Sequence, residues 1–266
     1  MADPFDFEKP ARYAVMGNPV AHSKSPRIHA QFAEQVGHRI EYTAIQVDPG
    51  GLAQAVDQFR ANGGRGLNIT VPFKLDAWRL AGRLSARAEL AGAVNTLRFE
   101  ADGTLYGDNT DGTGLVRDIT RNLGVTLTGK TVLVLGAGGA ARGIVGLLLE
   151  EKPARLTLAN RTVPKARELA ELFAGQGEIE VCGFEDLVGR RFDIVINATS
   201  ASLHHELPPL PDALFAPGAL AYDLMYADAP TVFLRWAGAH AAGRLLDGLG
   251  MLVEQAAESF FIWRGV

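Results

Sequence analysis

The chain has 266 residues, which is longer than most single domains, so one large or two medium-sized domains are expected. Hydrophobic residues make up 47% of the chain and charged residues 21%, a balance typical of a globular protein and not of a disordered chain or a coiled coil. The 26 Lys and Arg residues are outnumbered by 30 Asp and Glu residues, for a net charge of −4. We therefore expect no nucleic-acid partner.

The composition also argues against secretion, membrane insertion and metal binding. The first ten residues, MADPFDFEKP, carry acidic side chains where a secretory signal needs basic residues and an apolar core. No apolar run approaches the roughly 18 residues of a membrane span. Cys182 is the only cysteine, and no Cys/His spacing resembles a zinc site. We expect a cytoplasmic protein with no membrane partner, no internal disulfide and no metal.

The first half alternates short apolar runs with amphipathic stretches, which predicts a βαβαβ arrangement with a parallel sheet. The segments in order are YAVMG, SPRIHAQFAEQVG, EYTAIQVD, GLAQAVDQFRANG and GLNITVPF. Two helical segments follow between Lys74 and Gly92, then a hairpin that turns at Asp102-Gly103. A helical segment from Thr110 to Gly124 follows, and the sequence leaves open whether it belongs to the first domain, to the second, or to the connection between them.

A second series of strands begins after Lys130 with TVLVLG, an apolar run suited to a strand buried on both faces. Later strand candidates are RLTLAN, IEVCGF, FDIVINAT, LAYDLMY and RLLDG, a spacing that fits a doubly wound sheet. MLVEQAAESFFIW predicts a closing helix that crosses back to the first domain. The predicted α/β fold therefore has one domain in residues 1–110 and 249–266, and a Rossmann-type domain in residues 111–248.

The segment GAGGAARG follows TVLVLG directly, and Gly136, Gly138 and Ala141 fit the pattern of a dinucleotide-binding turn. Gly136 permits a tight turn, Gly138 lets the backbone approach a pyrophosphate, and Ala141 lets helix and strand pack closely. The N-terminus of the following helix offers N–H groups to the phosphates. The alternative is a glycine-rich turn that is only structural.

The end of the next strand favours NADP over NAD. An NAD site usually has Asp or Glu there, to bind the ribose 2′-hydroxyl, whereas this chain has Asn160-Arg161-Thr162 with Lys165 nearby. Arg161 and Lys165 can pair with a 2′-phosphate, and Thr162 can donate a hydrogen bond. Cations that merely began the next helix would oppose its dipole, which disfavours a purely structural reading.

Four polar clusters in the first half are unusual for connecting loops: SKSP after the first strand, NITVPFK at the third, AVNT entering the hairpin and GDNTDG leaving it. Loops at the carboxyl ends of strands in an α/β sheet converge on the ligand crevice. Their hydroxyls, amides, ammonium and carboxylate suit a small polyhydroxylated acid.

The ordered motifs GNPVAHSKSP, NITVPFK, AGAVNTL, GDNTDG, GAGGAARG, NRTVPKA, INATS, YDLMY and DGLGMLVEQA resemble the shikimate dehydrogenase family from about Tyr13 to the C-terminal helix. The resemblance implies NADPH-dependent reduction of 3-dehydroshikimate to shikimate, a step in aromatic amino acid biosynthesis. It also implies that the first domain binds the substrate and the second binds NADP.

The resemblance carries over residue by residue. It implies a catalytic pair of Lys74 and Asp111. The substrate residues it implies are Ser23 and Ser25 for the carboxylate, Asn68, Thr70, Asn95, Asp111 and Gln255 for the hydroxyls, and Tyr226 along the same pocket. The cofactor residues it implies are Gly136, Ala137, Gly138, Gly139, Ala140, Asn160, Arg161, Thr162, Val163, Pro164, Lys165, Thr199, Leu224 and Gly248. Leu224 stands where the family often has Met, the loop after Ser200 departs from the family's glycine-containing version, and Ala86 stands where some relatives have a carboxylate.

Reduction of a ketone by hydride leaves an alkoxide, so the reaction needs a proton donor, and Lys74 is the candidate. Asp111 would favour the Lys74 ammonium, whereas burial and closure of the cleft would disfavour it. The structural alternatives are a surface lysine at a helix start and an N-cap carboxylate. None of the six histidines has a motif partner, so we expect them to pack or to be solvated.

Three other functions remain open from the sequence. One is a quinate/shikimate dehydrogenase that uses NAD, against which Arg161 argues. A methylene-tetrahydrofolate dehydrogenase would have no evident use for Lys74 and Asp111. A non-catalytic NADPH sensor would not need the polar pocket. The oligomeric state is predicted only as monomer or homodimer.

Overall fold

The structure is a computed structural model that describes residues 9–199, 201 and 206–266. The chain forms two compact units. The first comprises the described residues of Met1–Glu89, Ala93–Thr110 and Ala256–Val266, and the second those of Leu90–Gly92 and Asp111–Gln255. No helix in the described part of the chain is long and apolar enough to cross a membrane.

The described residues of the first unit form one mixed sheet, four helices and the last turns of the C-terminal helix. Its strands are β1 (Ala11–Gly17), β2 (Ile40–Gln46), β3 (Gly64–Ile69), β4 (Arg83–Leu84), β5 (Thr96–Phe99) and β6 (Leu105–Asp108). Its helices are α1 (Ser25–Gln35), α2 (Leu52–Ala61), α3 (Lys74–Leu80) and α4 (Ala86–Ala91), the last of which runs to the edge of the unit.

The strand order in this sheet is β2-β1-β3-β5-β6-β4. Strand β1 pairs in parallel with both β2 and β3, which confirms the predicted βαβαβ arrangement. The hairpin β5–β6 is antiparallel, also as predicted, and joins the sheet beside β3. Strand β4 was not predicted, because its two residues are too few to show a hydrophobic period.

The core of the first unit lies where the central strands meet their covering helices. Met16 on β1 and Leu67 and Ile69 on β3 are buried together with Val56 on α2 and Phe73 before α3. A central parallel strand is covered on both faces, so a continuous apolar run is favourable there. Because β1 and β3 are parallel neighbours, their carboxyl ends lie side by side. The SKSP segment follows β1, and the PFK segment follows β3.

After Leu90–Gly92, the second unit continues with α5 (Asp111–Arg117) and a π-helical turn at Asp118–Asn122. Its strands are β7 (Thr131–Leu135), β8 (Arg155–Ala159), β9 (Ile179–Cys182), β10 (Phe192–Asn197), β11 (Phe215–Asp223) and β12 (Arg244–Leu246). Its remaining helices are α6 (Gly139–Glu150), α7 (Val163–Leu172), a 3-10 turn at Glu185–Leu187, α8 (Val232–Ala239) and the start of α9 (Leu249–Arg264).

The second sheet has the order β12-β11-β10-β7-β8-β9, and every neighbouring pair is parallel. Read from β9, this is the doubly wound order 3-2-1-4-5-6, which confirms the predicted Rossmann-type fold. The direction of winding reverses between β7 and β10, so the ligand crevice is expected at their carboxyl ends. Strand β11 ends at Asp223, so the segment Leu224–Tyr226, predicted as strand, follows it as a loop.

Helix α9 returns to the first unit, as predicted. Residues Ala256–Val266 belong to that unit. The Trp263 ring stacks on Tyr13 of β1 with centroids 4.6 Å apart. The Trp263 Nε1–H donates to the Leu97 carbonyl at 3.0 Å. A side chain at Gly66 would collide with the Trp263 indole, so this glycine is needed for the helix to dock.

Candidate active site

In the first unit, Asn68 and Asn95 lie in one buried hydrogen-bond network. The Asn68 Nδ2 atom lies within hydrogen-bond distance of the Asn95 carbonyl, the Thr96 hydroxyl and the Ser259 hydroxyl, at 3.1–3.3 Å. The Asn95 amide donates to the Thr110 hydroxyl at 2.9 Å, and the Thr110 N–H donates back to Asn95 Oδ1 at 2.9 Å. The network holds both amides in fixed orientations, because each donor has an acceptor and rotation would leave buried polar atoms unpaired.

The serine loop after β1 is tied to itself and to α1. The Ser23 N–H donates to the Val20 carbonyl at 3.0 Å, and the Ser23 hydroxyl accepts from the Ser25 N–H at 3.3 Å. Ser25 is the first residue of α1 and is buried, whereas Ser23 is partly exposed. Two hydroxyls at a helix N-terminus, with the positive end of the dipole behind them, suit a carboxylate.

Thr70 and Lys74 flank the turn between β3 and α3. The Thr70 N–H donates to the Met16 carbonyl at 2.9 Å, which extends the β1–β3 pairing past the end of β3. Lys74 is the first residue of α3 and is partly buried, and its carbonyl accepts from the Val94 N–H at 2.9 Å. A side chain at Gly17 would collide with the Thr70 methyl, so this glycine lets the two strand ends approach closely.

The Tyr42 hydroxyl also joins this network, by donating to Asn68 Oδ1 at 2.7 Å. Four polar residues of the network were not predicted as site residues: Tyr42, Thr96, Thr110 and Ser259. Thr96 and Thr110 stand inside the AVNT and GDNTDG segments, so their proximity to Asn95 in the sequence was an available signal. Ser259 stands among apolar residues of α9, and its hydroxyl lies 2.7 Å from that of Thr96. Only the docking of α9 makes Ser259 part of the network, and nothing in the local sequence indicates it.

A partly buried ion pair supports the hairpin next to this network. The Arg87 guanidinium donates to Asp108 at 2.7 and 3.0 Å and to Glu258 of α9 at 3.0 Å. Burial raises the pKa of Asp108, but hydrogen bonds from Arg87 and Ser85 outweigh it and hold the pKa below its ordinary value. The ion pair therefore anchors β6 to α4 and α9, directly before Asn109 and Thr110.

In the second unit, Asp111 begins α5 and is buried. Helix α5 packs closely against α9, because a side chain at Gly114 would lie 2.7 Å from the Gln255 Cβ atom. Residues three apart share a helix face, so Asp111 lies one turn from this contact. The Gln255 side chain donates to the Leu252 carbonyl at 2.9 Å. Tyr226 follows β11 and is partly buried.

The predicted catalytic pair is divided between the units: Lys74 belongs to the first and Asp111 to the second. Their pairing and their catalytic roles stay a prediction. The same holds for the contacts of Tyr226 and Gln255 with the substrate.

The glycine turn after β7 has the geometry that its sequence predicts. Gly136 has φ +105°, a conformation that L side chains rarely adopt, and its N–H donates to the Ala159 carbonyl at 2.8 Å. A Cβ atom there would lie 3.1 Å from the Ala198 carbonyl and from the Thr199 methyl. The turn is thus pressed against the end of β10, and the Thr199 methyl lies beside it.

Helix α6 begins at Gly139 and has no side-chain cap. Its first N–H groups have no partner within the helix, which makes its N-terminus suitable for a phosphate. A Cβ atom at Gly138 would meet nothing within 4 Å, so the backbone there faces open space. Ala141 is fully buried, as expected for the residue at which helix and strand pack together.

The segment predicted to read the cofactor's ribose follows β8. The Asn160 amide donates to the Thr162 carbonyl at 2.8 Å, and Thr162 precedes α7, which has proline in its first turn. Arg161 and Lys165 are exposed. Residues 160–165 contain two cationic side chains and no carboxylate, so the local charge favours a 2′-phosphate.

The last two predicted cofactor residues also lie at the carboxyl edge of this sheet. Leu224 follows β11, and its N–H donates to the Asn197 carbonyl at 3.0 Å. Gly248 follows β12, and its N–H donates to the Met225 carbonyl at 3.0 Å. A side chain at Gly248 would collide with the Leu224 carbonyl, which explains the glycine. The second unit therefore brings all of its predicted cofactor segments to the carboxyl ends of β7, β8, β10, β11 and β12.

These features fit a dinucleotide: a helix N-terminus without a cap, open space before Gly138, and cations after β8. A metal site has no comparable support, since within residues 9–199, 201 and 206–266 no three His, Cys, Asp or Glu side chains cluster suitably for an ion.

Three family models match the chain, in the order of its segments. They are described as the shikimate dehydrogenase substrate binding domain over residues 15–97, shikimate / quinate 5-dehydrogenase over residues 118–205, and the shikimate 5'-dehydrogenase C-terminal domain over residues 248–266.

Relatives with assigned names match over nearly the whole chain. A shikimate dehydrogenase (NADP(+)) of Alkalilimnicola ehrlichii is 62% identical, across 96% of this chain and 94% of the relative. Among solved structures, the Ael1 enzyme of Pseudomonas putida is 49% identical with a TM-score of 0.87, covering 96% of this chain and 94% of its own. The shikimate 5-dehydrogenase of Thermus thermophilus, solved with NADP(H) and shikimate, is 35% identical with a TM-score of 0.84 and the same coverage. This chain belongs to the shikimate dehydrogenase family.

Proposed function

We propose that this protein is an NADP-dependent shikimate dehydrogenase, which reversibly reduces 3-dehydroshikimate to shikimate in aromatic amino acid biosynthesis. The observation that carries the proposal is the 62% identity, over 96% of the chain, to a relative named shikimate dehydrogenase (NADP(+)). The polar network of the first unit and the cofactor crevice of the second are what such an enzyme needs.

We propose that residues 1–110 and 249–266 form the substrate-binding domain. Ser23 and Ser25 would bind the carboxylate, because both hydroxyls stand at the N-terminus of α1. Asn68, Thr70 and Asn95 would contact the ring hydroxyls from the ends of β3 and the start of β5, together with Asp111 and Gln255. Tyr226 would line the same pocket. The support is the placement of the first-unit residues around two neighbouring strand ends.

We propose that residues 111–248 bind NADP. Gly136–Ala140 would face the pyrophosphate, with the helix α6 N–H groups as donors. Asn160–Lys165 would hold the adenosine end, where the two cations neutralise the 2′-phosphate. Thr199, Leu224 and Gly248 would line the nicotinamide end, because they follow the strands on the other side of the switch point.

Lys74 is the proposed proton donor. NADPH, when bound, supplies the hydride for the ketone carbon. The oxygen left behind gains negative charge and requires a proton at hydrogen-bond distance. Lys74 can supply it, since its ammonium has three donors at the start of α3. Asp111 would orient this ammonium by its opposite charge, and in the reverse direction Lys74 would take the proton back.

A second candidate activity is oxidation of quinate, because one matching family model is described as shikimate / quinate 5-dehydrogenase. The experiment is a matrix of shikimate and quinate against NADP⁺ and NAD⁺, with kcat/KM for each pair. The proposal requires shikimate with NADP⁺ to be the best pair. A best pair of quinate with NAD⁺ would replace it with the second candidate.

The cytoplasmic location and the monomeric or homodimeric state, both expected from the sequence, stay predictions. So does the absence of nucleic-acid and membrane partners. Sedimentation of the purified protein would measure the oligomeric state directly.

A further inference from the structure

Strand β2 contributes a tyrosine to the substrate-binding network, although β2 carries no polar motif. The Tyr42 hydroxyl donates to Asn68 Oδ1 at 2.7 Å, and the Ser25 side chain lies near the same phenol, where it acts to lower the phenol's pKa. Tyr42 thus connects a residue proposed to bind the substrate carboxylate with one proposed to bind its hydroxyls. Burial raises the pKa of the Tyr42 phenol well above its ordinary value, so it remains a donor at every pH of interest.

The Asn68 amide is held at both ends. Its Nδ2 atom faces the Asn95 carbonyl and two hydroxyls, and its Oδ1 atom accepts from Tyr42. An amide turned by 180° would point its oxygen at the Asn95 carbonyl, which can only accept. The Asn95 carbonyl therefore decides which end of Asn68 faces the network, and the Tyr42 donor holds Oδ1 in place at the other end.

The Tyr42 ring is itself held by a buried histidine. The His29 ring is fully buried on α1 and stacks on Tyr42, with centroids 4.3 Å apart and planes 8° from parallel. Phe260 and Trp263 of α9 pack against His29 at 6.2 and 5.2 Å between centroids. The contacts place His29 in a packing role, as expected from the sequence. They also restrict the Tyr42 ring to one position, so that its hydroxyl meets Asn68.

We propose that Tyr42 is a positioning residue for substrate binding: its hydroxyl orients the Asn68 amide toward the substrate hydroxyls, and the His29 stack holds Tyr42 in place. The proposal rests on the proposed function, in which Asn68 contacts the substrate. Tyr42 itself need not touch the reacting atoms. Its loss should therefore weaken binding of shikimate and leave the cofactor and the proton transfer largely unaffected.

Tyr42→Phe removes only the hydroxyl and keeps the ring that stacks on His29. Loss of one hydrogen bond that orients a ligand group should raise KM for shikimate roughly 3- to 10-fold. KM for NADP⁺ should stay within about twofold, as should kcat. Tyr106→Phe is the matched control, since it removes a phenol hydroxyl in the same unit, there bonded to Asp108 at 3.3 Å. It should leave all three constants unchanged.

A double-mutant cycle separates positioning from general loss of structure. If Tyr42 acts through Asn68, Tyr42→Phe should have little further effect in an Asn68→Ala background, so the two effects should not add. The cycle is repeated with Ser25→Ala, because the Ser25 side chain lies near the same phenol. Smaller coupling to Ser25 than to Asn68 supports the proposal, and the reverse order overturns it.

The other possible outcomes for Tyr42→Phe also test the proposal. An unchanged KM for shikimate in Tyr42→Phe overturns the proposal. So does a rise in KM for NADP⁺ as large as the rise for shikimate, together with a lowered thermal midpoint, because that combination indicates a structural role. If Tyr42→Phe does not fold, Kd for shikimate of His29→Leu, measured by tryptophan fluorescence, takes its place. It should rise, because the aromatic ring that stacks on Tyr42 is lost, and an unchanged Kd overturns the proposal. Failure of the wild-type protein to oxidise shikimate is a different result, which defeats the proposed function itself.

Discussion

His29 should make the stability of the protein depend on pH. Its ring is fully buried, and neither ring nitrogen has a hydrogen-bond partner among the residues that the structure describes. The rings packed against it, which include Tyr42, Phe260 and Trp263, carry no charge. Burial therefore lowers the pKa of His29 from 6.5 to about 3, with the nearby Asn68 side chain acting in the opposite direction.

The sign and size of the effect follow from proton linkage. Below pH 6.5 the unfolded chain takes up a proton on His29, whereas the folded protein does so only near pH 3. Above pH 6.5, His29 does not reduce the free energy of unfolding. Below pH 6.5, the free energy of unfolding falls by about 1.4 kcal/mol for each pH unit, because the unfolded chain binds a proton that the folded protein does not. Between pH 7 and pH 4.5 the loss from this one residue is about 2.5 kcal/mol.

The assay is urea unfolding followed by tryptophan fluorescence at pH 7 and pH 4.5. In His29→Phe the decline over this range should be smaller than in the wild type by about 2.5 kcal/mol, because the residue that takes up the proton is gone. His22→Gln is the matched control, since His22 is exposed, and it should keep the wild-type decline. An identical decline in the wild type and in His29→Phe would refute the reasoning.

Three predictions concern the reaction itself. Lys74→Met should lower kcat by roughly 10²–10⁴-fold with NADPH binding intact, and unchanged turnover would remove Lys74 as proton donor. Arg161→Asp should shift the kcat/KM ratio toward NAD⁺, by removing a partner of the 2′-phosphate and adding repulsion; a constant ratio would mean that another group reads the phosphate. Gly136→Ala should raise KM for NADP⁺ about tenfold or more, since φ +105° disfavours a side chain that would also crowd Ala198. KM for shikimate should be unaffected, and a normal KM for NADP⁺ would argue against the role of this turn.

Much of the fold follows from local patterns. The run TVLVLG predicts a strand covered on both faces, and the glycines after it predict the turn that the φ of Gly136 confirms. The strand ends carry the polar segments, and parallel strands bring their ends to one edge of a sheet. The placement of SKSP beside NITVPFK could therefore be predicted once the βαβαβ arrangement was recognised.

Other parts of the site depend on tertiary contacts that no local pattern contains. Tyr42 stands in an ordinary strand sequence, and its role appears only when β2 pairs with β1 and α1 covers it. Ser259 joins the network only because α9 docks on the first unit. The π-helical turn at Asp118–Asn122 is only five residues long, too short for its wider period to show in the hydrophobic spacing, so the sequence could not distinguish it from the α-helix before it.

Asp118 is another residue whose contacts could not be predicted from the local sequence. Its buried carboxylate accepts from the Tyr222 hydroxyl at 2.6 Å and from Asn122 at 2.9 Å. A side chain at Gly250 would collide with this carboxylate, so the start of α9 lies directly against it. Tyr222 and Gly250 are more than a hundred positions from Asp118 in the chain, and only the folded second unit brings them together.

The most direct test of the account is the absorbance of reduced nicotinamide when the purified protein is incubated with shikimate and NADP⁺. The account predicts a rapid rise with this pair, and a much slower rise when NAD⁺ replaces NADP⁺ or quinate replaces shikimate. No rise with shikimate and either cofactor, from a folded protein that binds NADPH, would contradict it.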